Sequence, residues 1–229
     1  MAGGLWTFGG RLRTPEAPKR VDLMCEFAWQ SGRQAHHRHS AHAGIVSLGY
    51  TAPVAWTPRI GFEYAYSPGD RTPDDSVVET FDPLYPTTHP YYGIMDYFSW
   101  RNLRNARVSL SARPTTKLRL QLDYHDFRLA AAEDGWYSSS AKLLQDKTGG
   151  SGTHVGHELD FQVDYKLSAR TAISAGYGHF FPGSYVARQK AQVADSDWGY
   201  LQVSTAYQPD HDTGRWRPPR PPEIGGSEE

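Results

Sequence analysis

The sequence predicts an all-β protein, an antiparallel transmembrane β-barrel of about nine strands. Polar and apolar residues alternate with a period of two along run after run of the chain. Short and long connections between those runs also alternate. No stretch approaches the ~18 consecutive apolar residues of a membrane-crossing helix. The period of two gives every run one wet face and one apolar face. A soluble antiparallel β domain that binds carbohydrate through its aromatics would show the same alternation and stands as the alternative reading. The connection lengths favour the barrel, because bacterial barrels carry short turns at one end and long loops at the other.

The first run, Leu5 to Leu12, sets Trp6, Phe8 and Leu12 against Thr7, Gly9 and Arg11. The opening MAGGLWTFGGRLR has neither the basic start nor the apolar stretch of a secretory signal. After a Pro-bearing turn, Val21 to Gln30 places Val21, Leu23, Cys25, Phe27 and Trp29 opposite Asp22, Met24, Glu26, Ala28 and Gln30. The lone Cys25 excludes an internal disulfide framework and reads as strand packing. Next comes GRQAHHRHSAH, with His36, His37, His39 and His42. No carboxylate or cysteine is near in sequence, so these histidines read as an exposed, titratable loop and no metal site is expected. Gly44 to Tyr50 and Arg59 to Ser67 then form a hairpin whose apolar sets are Val46, Leu48, Tyr50 and Ile60, Phe62, Tyr64, Tyr66.

Pro68 to Asn102 has no strand period and carries Pro73, Pro83, Pro86 and Pro90 among many aromatics. It reads as a long external loop. Arg104 to Arg113 and Lys117 to Leu129 follow, with Ala106, Val108, Leu110 and Ala112 paired against Leu118, Leu120, Leu122 and Tyr124. Opposing Arg113 to Lys117 brings Arg107 to Asp123 as a cross-strand ion pair. Phe127 and Leu129 depart from the phase set by Leu118 to Tyr124, which suggests a β-bulge at His125-Asp126. Glu158 to Leu167 alternates without a fault and turns at Ser168 to Arg170 into Thr171 onwards, so that Tyr165 opposes Ile173 and Phe161 opposes Tyr177. Trp198 to Tyr207 is the last strand. The remainder, Pro209 to Glu229, is Pro-, Arg- and acid-rich and reads as a disordered tail on a barrel unit spanning residues 1–208.

The 229 residues include 14 Tyr, 7 Trp and 22 Gly, and the formal net charge is -1, which gives no sign of a nucleic-acid partner. Trp6, Trp29, Phe161 and Tyr177 read as lipid-face or girdle residues. His125-Asp126 and His157-Glu158 are sequence neighbours on strands, so their side chains point to opposite faces. With no nucleophile motif beside them, neither an enzyme nor a cofactor is expected.

Four segments carry a family resemblance: ETFDPLYPTTHPYYGIMDYFSWRNL from Glu79, LDYHDFRLA from Leu122, GTHVGHELD from Gly152 and GHFFPGSYV from Gly178. In order and spacing the chain from Leu5 to Tyr207 resembles the C-terminal half of the bacterial alginate-export family of outer-membrane proteins. The resemblance implies a large monomeric barrel with about twice as many strands, in the bacterial outer membrane, passing an anionic polysaccharide such as alginate outward. It also implies outer-membrane lipid and the outer-membrane assembly machinery as partners. On this reading the chain is a fragment of a longer protein. The candidate solute-path residues are Arg59, Arg107, Arg113, Lys117 and Arg119, which gather on the fourth to sixth strands. Inward acids accompany them, including Asp22, Glu63, Asp123, Glu158, Asp160 and Asp164, while Asp126 and Arg128 are assigned to the same wall.

Overall fold

A computed structural model describes residues 4–16, 20–34, 36–85, 88–140, 142–189 and 195–206. The tail assigned to Pro209–Glu229 and the end of the last strand at Tyr207 lie outside these residues. In chain order the elements are β1 (Leu5–Arg13), β2 (Val21–Gln34), β3 (His37–Thr51), β4 (Arg59–Ser67), β5 (Val77–Val78), β6 (Leu103–Ala112), β7 (Leu118–Arg128), β8 (Gly135–Tyr137), β9 (Lys142–Gln145), β10 (His154–Lys166), β11 (Thr171–Pro182), α1 (Ser184–Arg188) and β12 (Ser196–Thr205). The main sheet has ten strands in the order β1-β2-β3-β4-β6-β7-β10-β11-β12, with β5 added in parallel to β3. Each neighbour along that path follows in sequence, so the sheet is an antiparallel meander. β8 and β9 form a separate hairpin. No helix among the described residues is long and apolar enough to cross a membrane.

Alternation along these strands sorts side chains onto two faces. One face is bare: Trp6, Phe8, Phe27, Leu48, Ile60, Phe62, Leu110, Phe161, Tyr177 and Leu201 are all exposed, Trp6 by 70% and Leu201 by 74%. The other face is covered, because residues 68–102 leave the long-loop end and fold back across it. The sequence placed that segment outside, but its aromatics supply the core of the molecule. Phe98, Ile94, Met95 and Tyr92 are buried with Phe127, Leu103, Phe180, Trp136 and Tyr185. Phe98 stacks on Phe127 with ring centroids 3.7 Å apart and 12° between planes.

This in-folding corrects the expected bulge at His125-Asp126. β7 pairs with β6 in unbroken register through Arg104↔Arg128, so His125 and Phe127 both point to the covered face and Asp126 and Arg128 to the bare one. Phe127 is apolar where the lower strand is polar because a loop, and not water, lies against it. The irregularity falls on the partner strand, between His154 and Gly156 of β10. A second correction concerns GRQAHHRHSAH, in which residues 32–34 and 37–42 are paired strand and not loop. β2 and β3 stay paired as far as Gln34↔His37, since backbone pairing needs no apolar pattern to continue. Where β3 outruns β4, its free edge takes β5, with Arg38 N–H donating to Ser76 C=O at 2.9 Å.

The two hairpin registers fared differently. Phe161↔Tyr177 and Tyr165↔Ile173 are as expected, because the Ser168–Arg170 turn is too tight to allow another choice. At the β6–β7 turn Ser109, not Arg107, opposes Asp123. That two-residue shift keeps every side chain on its expected face, which is why alternation is blind to it.

Candidate functional site

A cavity of about 790 Å³ opens between the covered face of β1 to β7 and the underside of the in-folded segment. Its sheet wall is polar, with Arg11, Glu26, Asp22, Arg59, Glu63, Arg107, Arg119 and Gln121. Its roof is aromatic, with Phe81, Tyr85, Tyr91, Tyr92 and Trp100. The polar wall follows from alternation, and the roof is the non-periodic sequence of residues 68–102.

Side chains on several strands hold the roof in place. On β2, Gln30 acts as a backbone substitute: its Oε1 accepts from Asp82 N–H at 2.8 Å while its Nε2 donates to Asp82 C=O at 2.5 Å. On β10, Glu158 Oε1 accepts from Met95 N–H at 3.0 Å and Asp160 Oδ2 from Ile94 N–H at 3.2 Å. Just before these two amides in sequence sits Gly93, at φ +82°, where a Cβ would run into the Glu158 carboxylate. At the base, Asn102 takes the left-handed conformation at φ 48° and its side chain donates to the C=O groups of Ala131 and Gly135 at 3.0 and 2.9 Å. Asp134 Oδ2 receives Asp70 N–H at 2.9 Å and the Thr80 hydroxyl at 2.5 Å, tying the two long loops together. Burial raises the carboxyl pKa of Asp70 and holds the Tyr92 phenol well above its ordinary value.

The five candidate solute-path residues separate into two groups. Arg59, Arg107 and Arg119 line the cavity. Arg113 and Lys117 lie beyond the strand ends at the β6–β7 turn, both exposed and away from the cavity. Of the three that meet, Arg59 is engaged by Asp22 through Nη2–Oδ1 at 2.6 Å and Nε–Oδ2 at 3.2 Å. Arg107 donates from Nε to Asp123 Oδ1 at 3.0 Å, with Glu63 Oε1 3.9 Å from Nη1. Arg119 differs: Nη2 donates to Gln121 Oε1 at 2.6 Å, and no carboxylate lies within ion-pair distance of it among the described residues. Its Nε is shielded from water and makes no hydrogen bond, and the same holds for Trp100 Nε1 in the roof. Of these three arginines, Arg119 is therefore the one whose charge no carboxylate offsets among the described residues.

Residues 2–200 match the family described as alginate export. The chain belongs to the alginate-export family. No curated protein matches it closely enough to add a further name. The match covers β1 to β11, the in-folded segment and the first half of β12, so the cavity of this alginate-export chain is built from family sequence throughout. The resemblance seen in the four motifs is thereby borne out.

Sequence reasoning missed the roof and its anchors, Gln30, Glu158 and Asp160. One sign was available: Phe127 and Phe180 are large apolar residues on the otherwise polar face, both near the long-loop end. Of the histidines at the β2–β3 hairpin, His39 Nε2 is 3.2 Å from Gln30 Oε1, and His42 sits against Tyr66 with ring centroids 5.8 Å apart. Side chains able to hold a metal do come together elsewhere among the described residues, at Asp126, His154 and His157 on the bare face.

Proposed function

We propose that the chain forms part of an outer-membrane β-barrel channel that exports an anionic polysaccharide such as alginate by passive passage, without enzymatic chemistry or a cofactor. The bare face carries the proposal. Large side chains such as Trp6, Phe8, Leu48, Ile60, Phe62, Phe161, Leu201 and Val203 lie uncovered over the whole sheet. Together they expose an apolar area on the order of 1,500 Å², well above the ~600 Å² patch that water-soluble monomers tolerate. Hydrocarbon is the solvent that suits such a face, and the same observation weighs against a water-soluble carbohydrate-binding domain. At the long-loop end the bare face turns polar, with Asp126, Arg128, His154, His157, His179 and Asp197 beside Tyr124 and Tyr177. That belt suits the headgroup level.

The covered face then lines the aqueous path, and the in-folded segment narrows it. β1 and β12 each have one sheet neighbour among the described strands, so closure calls for further strands between them. A monomeric barrel of about twice this size, delivered by the outer-membrane assembly machinery, meets that need. Residues 1–208 would be its C-terminal half. Arg59 and Arg107 are largely neutralised by their partners, so Arg119, which lines the same cavity with no carboxylate partner among the described residues, is the leading contact for a carboxylate-bearing sugar chain.

Two measurements test the proposal. The full chain should partition with outer membranes and require detergent for extraction, whereas recovery from the soluble fraction would refute the membrane reading. In planar bilayers Arg119→Glu, made in the closed full-length barrel that contains this chain, should move the reversal potential toward cation selectivity, the effect shrinking as salt rises because charges are screened beyond about 8 Å at physiological strength. An unchanged potential in inserted protein would assign Arg119 to wall structure and remove the support for an anionic solute.

A further inference from the structure

His154 and His157 are three apart on one strand, and regular alternation would send them to opposite faces. The irregularity between His154 and Gly156 turns His154 back, so that it pairs with Arg128 and shares the bare face with His157. Val155 takes up the extra residue and is wholly buried. The two imidazoles then lie with ring centroids 4.6 Å apart and their Nε2 atoms 3.1 Å apart. Across the ladder, His157 pairs with Asp126 of β7, whose Oδ1 is 3.5 Å from His154 Nε2. Each residue offers a ligand atom within 4.8 Å of the other two. A zinc tetrahedron with bonds of ~2.0–2.1 Å has edges of about 3.3 Å, close to the 3.1 and 3.5 Å that separate His154 Nε2 from His157 Nε2 and from Asp126 Oδ1.

The surroundings orient these atoms. Arg128 Nε donates to Asp126 Oδ2 at 3.0 Å, which leaves Oδ1 toward the imidazoles, shielded from water and without a hydrogen bond. The Tyr124 hydroxyl lies 2.8 Å from His157 Nδ1 and so reserves Nε2 for a ligand. Gly183 makes room for the His154 ring, since a Cβ there would be 2.7 Å from His154 Nδ1. The three side chains are 24–33% exposed, enough for water to complete the coordination.

We propose that Asp126, His154 and His157 bind a divalent transition-metal ion, zinc by preference, at the long-loop rim of the bare face. Two imidazoles and one carboxylate suit zinc better than calcium or magnesium, which favour oxygen ligands. The ion would bridge β7 and β10 where residues 129–153 leave the sheet, and so fix the base of that loop. This site is remote from the cavity and does not depend on how solute passes.

The test is a zinc titration of the full chain in detergent micelles against a chromophoric chelator. One equivalent should bind, and His154→Gln and His157→Gln should each lower the affinity at least about tenfold, with Tyr124→Phe about tenfold weaker as a supporting partner. His36→Gln with His37→Gln, at the β2–β3 turn, should leave the affinity unchanged. X-ray absorption of the zinc-loaded chain should show two imidazoles in nitrogen and oxygen coordination. Far-UV circular dichroism of each variant establishes that it is folded. Absence of a zinc equivalent, or a zinc equivalent that survives in folded His154→Gln/His157→Gln protein, would overturn the site and leave the histidines as a hydrogen-bonded pair.

Discussion

Replacing Leu122 by arginine tests the assignment of the two faces most directly. β7 has 11 residues from Leu118 to Arg128. At ~3.3 Å per residue and a tilt of ~40° it rises about 28 Å, close to the ~25 Å apolar band of an outer-membrane barrel. Leu122 lies near the middle of that rise, flanked on the bare face by Leu110 of β6 and Phe161 of β10. An arginine there should destabilise the membrane-inserted state by about 2–4 kcal/mol, a change of roughly 30- to 900-fold in the folding equilibrium. Gln121→Arg puts the same charge one residue away on the covered face. There it loses the Gln121 Nε2 to Asp123 bond and the Oε1 that accepts from Arg119, both 2.6 Å, but stands beside the Asp123 carboxylate, so the expected cost is about 1 kcal/mol. Urea unfolding in lipid vesicles, followed by far-UV circular dichroism, reads both values. Equal costs for the two variants, or a larger one at Gln121, would refute the facing. So would a folded chain in buffer without lipid or detergent.

Three further outcomes follow from the in-folded segment and its neighbours. Phe98→Ala removes a fully buried ring stacked on Phe127 and should lower stability by about 3–5 kcal/mol in the same unfolding assay. Gly93→Ala combines a positive φ with collision against Glu158, and should free the segment from β10; faster hydrogen exchange at the Ile94 and Met95 amides checks this, and unaltered exchange would contradict the anchor. In the long loop, four hydrogen bonds from Thr148 and Ser151 hold the Asp146 carboxyl well below its ordinary pKa. A depressed carboxylate contributes order that is complete above about pH 4 and is lost only as the pH falls through the lowered value. Protection of the Ser151 amide should therefore be constant from neutral pH down to about pH 4, and Asp146→Asn should reduce it at every pH in that range.

Much of this protein follows from local pattern. The period of two determined the nine strands of the main path and the face of most side chains, the end of β7 from Asp126 to Arg128 and the start of β10 at His154 excepted, because alternation is a property of the extended backbone itself. The three-residue turn at Ser168–Arg170 determined the β10–β11 register for the same local reason. The four motifs carried the family, since order and spacing survive without any knowledge of contacts. Tertiary structure decided what periodicity does not record. A two-residue slip between β6 and β7 changes no face, so the residue directly opposite Asp123 was open until the strands were paired, although the expected Arg107–Asp123 ion pair forms across the diagonal. The His-rich hairpin is polar on both sides and shows its strands only through backbone pairing. Residues 68–102 have no period, and their fate rests on partners 52 to 66 positions away, from Gln30 to Asp82 and from Ile94 to Asp160. Strand pairing set Asp22 against Arg59 and Asp123 against Arg107 and left Arg119 with Gln121. The irregularity at Val155 brought His154 to His157 and Asp126. Both events depend on which surfaces meet when the chain closes on itself, and a sequence read one strand at a time contains no term for that meeting.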